Sequence, residues 1–125
     1  MTYSECFQSE LVDDVLVVSF QIEEARIEEF AMMNKQQVLS HKFNKSRAVH
    51  AIVDFRQLSY FGSLMLEDLL QLWKAVKAKD GRMALCNLSQ TGREIIGVSR
   101  FDQLWPVCET QEKAMQSVLN RNFTK

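Results

Sequence analysis

Glycine and proline are scarce in this chain: four and one among 125 residues, against an average of about 12% for the two together. Tight turns draw on those residues for their backbone angles. The shortage therefore argues against an all-β sandwich or barrel with many hairpin turns. It also leaves no glycine-rich phosphate loop, since neither GxGxxG nor GxxxxGK occurs. Cysteine is equally sparse. Cys6, Cys86 and Cys108 are far apart, no C-x-x-C occurs, and His41 and His50 fall at no zinc spacing. That pattern is the one expected of a reduced, cytosolic chain with no metal or other cofactor. No charge sign dominates: 15 Lys and Arg face 16 Asp and Glu, for a formal net charge of -1, so the basic excess of a nucleic-acid binder is missing. The densest basic stretch, Lys42 to Arg47, is short and reads as a solvated helix end. Apolar runs are no longer than Val15-Leu16-Val17-Val18, far below the ~20 residues of a membrane helix. The polar start Met1 to Glu5 lacks the features of a secretion signal. These absences predict a soluble, cytoplasmic protein that neither inserts into a membrane nor binds nucleic acid.

What is present suits a globular domain. Hydrophobic residues make up 46% and charged residues 25%, which excludes wholesale disorder. The length fits one domain, residues 1–125, able to bury roughly two thirds of its unfolded surface without disulfides. Residues about 5–11 alternate weakly as a strand, Asp13-Asp14 forms a turn, and Val15 to Phe20 is a second strand, completing a hairpin. Glu23 to Asn44 reads as a helix with early glutamates and late lysines, in keeping with the macrodipole. Val49 to Phe55 is a strand covered on both faces. Ser63 to Lys79 is the clearest helix. Leu66, Leu69, Leu70, Trp73 and Val76 fall on one stripe, Ser63 is the expected N-cap, and Gly81 is the residue expected to take a left-handed conformation after it. A strand over Met83 to Leu88, a helix capped by Ser89 and running through Val98, a turn at Phe101 to Leu104, a strand over Trp105 to Cys108 and a helix capped by Thr110 complete the order β-β-α-β-α-β-α-β-α. That order implies a single α/β domain: a mixed sheet of about five strands, with about four helices packed against it and parallel crossovers after the third strand.

Motifs for catalysis are missing: no G-x-S-x-G, no H-E-x-x-H and no Asp-x-Asp cluster. His50 inside a strand and His41 near a helix end are ordinary places for structural histidines. Cys86 in a buried strand fits a small apolar filler better than a nucleophile, which needs an electropositive, accessible setting. Trp73 and the methionines suit the core. Asp54 stands at the carboxyl end of a strand, where parallel sheets place ligands and functional loops; it equally suits a cap for the following turn. Beyond it, the segment from Asp54 to Leu64 carries a strand into a loop with the aromatic pair Tyr60-Phe61, and Ser63 opens a helix. A phosphate on that hydroxyl would meet the free N–H groups of the first turn and the positive end of the dipole; an N-cap is the plainer alternative.

The stretch from Ala51 to Met115 resembles a STAS domain, the family of bacterial anti-sigma-factor antagonists. The residues that carry the likeness are Ala51-Ile-Val-Asp54-Phe55, Leu58-Ser-Tyr60-Phe61, Gly62-Ser63-Leu64-Met65-Leu66, Lys79-Asp80-Gly81-Arg82, Met83-Ala-Leu-Cys-Asn87-Leu88-Ser89 and Phe101-Asp102-Gln103-Leu104-Trp105. The first third matches only in element order. The resemblance implies a mixed sheet with helices against one face, no catalytic activity, and a phosphoacceptor role for Ser63 toward a serine kinase that is also an anti-sigma factor. It implies that Asp54, Leu58, Tyr60, Phe61, Gly62, Ser63, Leu64 and Met65 form the partner-binding region, with Phe61 and Met65 as apolar anchors where exposed. Two positions depart from the family pattern: Gly62 replaces an Asp, and Met65 replaces a Gly. They point to a partner-binding module whose phosphorylation is absent or altered. Two further readings stand beside it: a STAS subunit of a transporter or stress-signalling complex that acts without phosphorylation, and a small enzyme or nucleotide-binding domain built on Asp54, Ser63 and His50. The residues set no oligomeric state.

Overall fold

A computed structural model describes residues 7–20 and 38–119. Of the helix expected over Glu23 to Asn44, only the portion from Val38 lies within them, and Cys6 lies outside. The described elements are β1 (Phe7–Val12), β2 (Val15–Phe20), α1 (Val38–Lys45), β3 (His50–Asp54), α2 (Ser63–Ala78), β4 (Met83–Cys86), α3 (Gln90–Val98), a short 3-10 turn (Phe101–Gln103), β5 (Val107–Cys108) and α4 (Gln111–Leu119).

The five strands form one sheet in chain order, β1-β2-β3-β4-β5. β1 and β2 pair antiparallel, and every later neighbour pairs parallel. Parallel pairing thus begins at β2 and β3, one strand earlier than expected, because the connection between them is already a helical crossover. The hairpin closes with two residues, Asp13 and Asp14, both at positive φ (48° and 65°) between the paired Val12 and Val15. Two positive φ values match the right-handed twist of the strands they join.

β2, β3 and β4 are buried almost throughout, as central strands with both faces covered must be. On one face, Leu16, Val18, Ala51, Val53, Met83 and Leu85 meet Leu39 and Phe43 of α1, Leu69, Leu72 and Val76 of α2, and Ile96 of α3. On the other, Val15, Val17, Ile52, Ala84 and Cys86 meet Ala114 and Val118 of α4. The expectation of helices on one face is corrected: three pack there and α4 covers the reverse.

Helix ends differ from the expected caps in two places. The N-cap of α2 is Gly62, in extended conformation and with no side-chain cap bond; Ser63 is the first helical residue. At the other end, Asp80 rather than Gly81 takes the left-handed conformation (φ 57°), and no described glycine has positive φ. The N–H groups of Asp80 and Gly81 donate to the carbonyls of Lys77 and Val76, a Schellman closure with aspartate at the left-handed position. Gly81 is needed for another reason: a Cβ there would collide with the carbonyl oxygen of Val49. The caps at Ser89 and Thr110 form as expected, accepting from the N–H groups of Gly92 (3.0 Å) and Lys113 (3.1 Å). β4 ends at Cys86, two residues short of the expected Leu88, because Asn87 turns left-handed (φ 58°).

A candidate docking face around Ser63

The carboxyl ends of β2, β3, β4 and β5 line up in one row. Ser19 pairs with Asp54, Asp54 with Cys86, and Cys86 with Cys108. The chain leaves this row at Asp54 to form the loop that leads into α2.

Asp54 is 4% exposed, and its carboxylate is fully engaged. Oδ1 accepts from the backbone N–H of Arg56 (2.9 Å) and from Nδ2 of Asn87 (3.1 Å), and Oδ2 accepts from Nε2 of Gln111 (3.0 Å). A buried carboxylate is tolerated where donors replace its water, and here three of them come from the loop, the β4–α3 turn and α4. The turn-cap reading of Asp54 is the one this geometry supports. Its side chain does not reach the surface.

Apolar side chains fix the loop from beneath. The rings of Phe7, Phe20, Phe55 and Phe61 form a continuous chain with centroid separations of 5.2, 5.2 and 4.8 Å, within the range of favourable aromatic contacts. Leu58 is buried beside them, and the Leu58 N–H donates to the Phe55 carbonyl (2.9 Å). The Ser89 hydroxyl donates to the Ser59 carbonyl (2.7 Å) while it caps α3, so one side chain ties two segments.

The eight residues expected to bind a partner divide by exposure. Tyr60 (52% exposed) and Ser63 face outward, and Gly62 and Leu64 are half-buried. Asp54, Leu58, Phe61 and Met65 are buried, the last two at 1% each. Phe61 and Met65 are therefore core residues and not exposed anchors. At the departing position Met65, the side chain lies buried in the core. Ser63 sits at the start of a 16-residue helix whose N-cap, Gly62, makes no side-chain cap bond, so the first-turn N–H groups have no capping side chain from that position.

His50 occupies the end of β3 opposite Asp54, about 13 Å from it along the strand, and its Nδ1 accepts from the Arg82 N–H (2.9 Å). The pairing of His50 with Ser63 that an enzyme reading would need is not formed. Burial, with the charge of Asp54 as the next cause, pushes the Cys86 thiol up to about 12, and burial likewise raises the Cys108 thiol. Neither is a thiolate near neutral pH. Among the described residues, no group of three or more His, Cys, Asp or Glu could hold a metal ion, and no helix is long and apolar enough to cross a membrane.

Asn87, Ser89 and Gln111 act at this site without having been singled out for it from sequence. Asn87 and Ser89 could have been: an Asn and a Ser directly after a buried strand are the residues that take left-handed backbone and cap helices. Gln111, 57 positions from its partner, carries no local signal.

The STAS domain model matches residues 7–114. No curated protein sequence matches the chain. Solved structures do. An anti-sigma-factor antagonist (STAS) domain protein from Planctomyces limnophilus is 24% identical with a TM-score of 0.71, covering 89% of this chain and 96% of that one. An anti-sigma factor antagonist from Mycobacterium paratuberculosis is 20% identical with a TM-score of 0.73, covering 90% and 92%. SpoIIAA in its unphosphorylated form is 23% identical with a TM-score of 0.69, covering 95% and 99%. The chain belongs to the STAS domain family, and its fold is that of the anti-sigma factor antagonists.

Proposed function

We propose that this STAS domain is a non-catalytic docking module of the bacterial cytoplasm. In this reading it binds a regulatory serine kinase of the anti-sigma type through the loop and helix start around Ser63, and phosphorylation of Ser63 releases the complex. The observation that carries the reading is the combination at one point of an exposed hydroxyl, an uncapped helix start and an exposed aromatic, Tyr60, on a loop pinned by buried side chains. A rigid loop that presents a few outward side chains loses little entropy on binding, and an aromatic is a frequent energetic anchor. A phosphate on Ser63 would add about -1.5 to -2 charges to this face. The exposed Glu67 one turn on opposes the phosphate by a few tenths of a kcal/mol, against the favourable dipole of the helix start.

The alternative, a STAS subunit of a transporter or stress-signalling complex that uses the same face without phosphorylation, is favoured by one observation: Gly62 supplies no carboxylate beside Ser63. Intact-mass measurement of the tagged protein isolated from its native host separates the two. A species heavier by one phosphate (~80 Da) that disappears in Ser63→Ala supports the switch. Its absence, with a stoichiometric partner still lost on Tyr60→Ala, supports the constitutive subunit. Retention of every partner by Tyr60→Ala and Ser63→Asp overturns docking at this face.

A further inference from the structure

We infer that Gln111 is a positioning residue of the Ser63 face, acting through Asp54, so that the geometry of the docking loop is set from the opposite side of the sheet by α4. The function of the loop rests on the docking reading above; the positioning does not.

The observation is the division of one carboxylate between two faces. Asp54 alternates with Val53 and falls on the same side of β3 as Ile52, which belongs to the core shared with α4. From that side Oδ2 accepts from Gln111, the first residue of α4. Oδ1 accepts from the Arg56 N–H, the second amide of the loop that runs to α2 on the other side. A carboxylate is planar and rigid, so a donor that fixes Oδ2 also fixes the direction in which Oδ1 points. Asn87 donates to the same Oδ1, and its N–H donates to the Cys108 carbonyl, which anchors the third donor to β5. Thr110 caps α4 immediately before Gln111 by accepting from the Lys113 N–H, which holds the helix start, and with it the Gln111 amide, in place. Bonds to charged groups are the stronger class, and a half-satisfied buried network loses more than the single missing bond.

Amide hydrogen exchange of the full chain, without any partner, tests this. In Gln111→Ala, the Arg56 amide is expected to exchange about tenfold faster, the lower end of what losing one bond to a charged group gives, while the Ile52 and Val53 amides keep their wild-type rates. Gln111→Glu, which sets a second carboxylate against Asp54, is expected to give a larger acceleration at pH 7 at the same amide. An unchanged Arg56 amide in both variants, or acceleration of Ile52 and Val53 by the same factor as Arg56, overturns the inference. The readout needs no docking partner. A variant that loosens the loop yet keeps full partner affinity would leave the positioning intact and count against the docking reading instead.

Discussion

Single residues in this chain differ sharply in what they hold. Gly81 has no room for a side chain because the Val49 carbonyl occupies the place of its Cβ, whereas nothing lies within 4 Å of a Cβ added at Gly97. Gly81→Ala is expected to lower stability in urea titrations by roughly 3 kcal/mol, the upper range for forced overpacking. Gly97→Ala, inside α3, is expected to raise it by about 0.5 kcal/mol through helix propensity and the unfolded chain. Cys86 offers a pH test. Its thiol is pushed up to about 12, chiefly by burial, while an unfolded thiol titrates near 8.5. Above that lower value the unfolded chain has lost the proton that the folded chain still holds, so stability falls as pH rises from about 9 toward 12. The urea midpoint of wild type should fall more steeply over that window than the midpoint of Cys86→Ala. Equal slopes would show that the thiol has no part in it.

At the level of elements, sequence legibility follows the range of the interactions. α2 is plain from its stripe of Leu66, Leu69, Leu70, Trp73 and Val76, and the caps at Ser89 and Thr110 are plain because a cap is local. The exchange of Ser63 for Gly62 as N-cap is a one-residue shift that spacing alone does not resolve. The exchange of Asp80 for Gly81 has a long-range cause, since the contact that demands glycine comes from the α1–β3 turn. α4 was legible from its Thr110 cap, which carries no mark of the face it would cover. The candidate site divides in the same way. Ser63 and Tyr60 could be read as outward residues of a loop and a helix start, but the inward turn of Phe61 and Met65 depends on the aromatic row that begins at Phe7. The β1–β2 turn gives the test at this scale. Both of its residues have positive φ, yet both are aspartates. Asp13→Asn with Asp14→Gly supplies the pair preferred for such a turn and is expected to raise the thermal midpoint by about 2–4 °C, corresponding to roughly 0.5 kcal/mol for a domain of this size. A fall would mean that the carboxylates have contacts beyond the turn.

For the whole molecule, the arrangement separates holding from presenting. The parallel strands end in a row, the row carries the carboxylate of Asp54, and that carboxylate together with Phe55, Leu58 and Phe61 fixes a loop from which only Tyr60 and Ser63 project fully among the eight residues considered. Substitutions should therefore fall into two groups that do not mix. Phe61→Ala and Leu58→Ala remove fully buried side chains and are each expected to cost about 3–4 kcal/mol in denaturant titrations, a large part of the roughly 5–15 kcal/mol that stabilises a domain of this kind. Tyr60→Ala and Ser63→Asp alter exposed groups and are expected to leave the unfolding midpoint within about 0.5 kcal/mol of wild type. The same two are expected to weaken partner capture by tenfold or more, since a central aromatic anchor or an added charge changes affinity by over 1.4 kcal/mol. The decisive measurement plots the two quantities against each other. If partner affinity tracks stability across all four variants, the face is only a surface of the fold; if Tyr60→Ala and Ser63→Asp lose affinity at unchanged stability, the loop exists to be read by another protein.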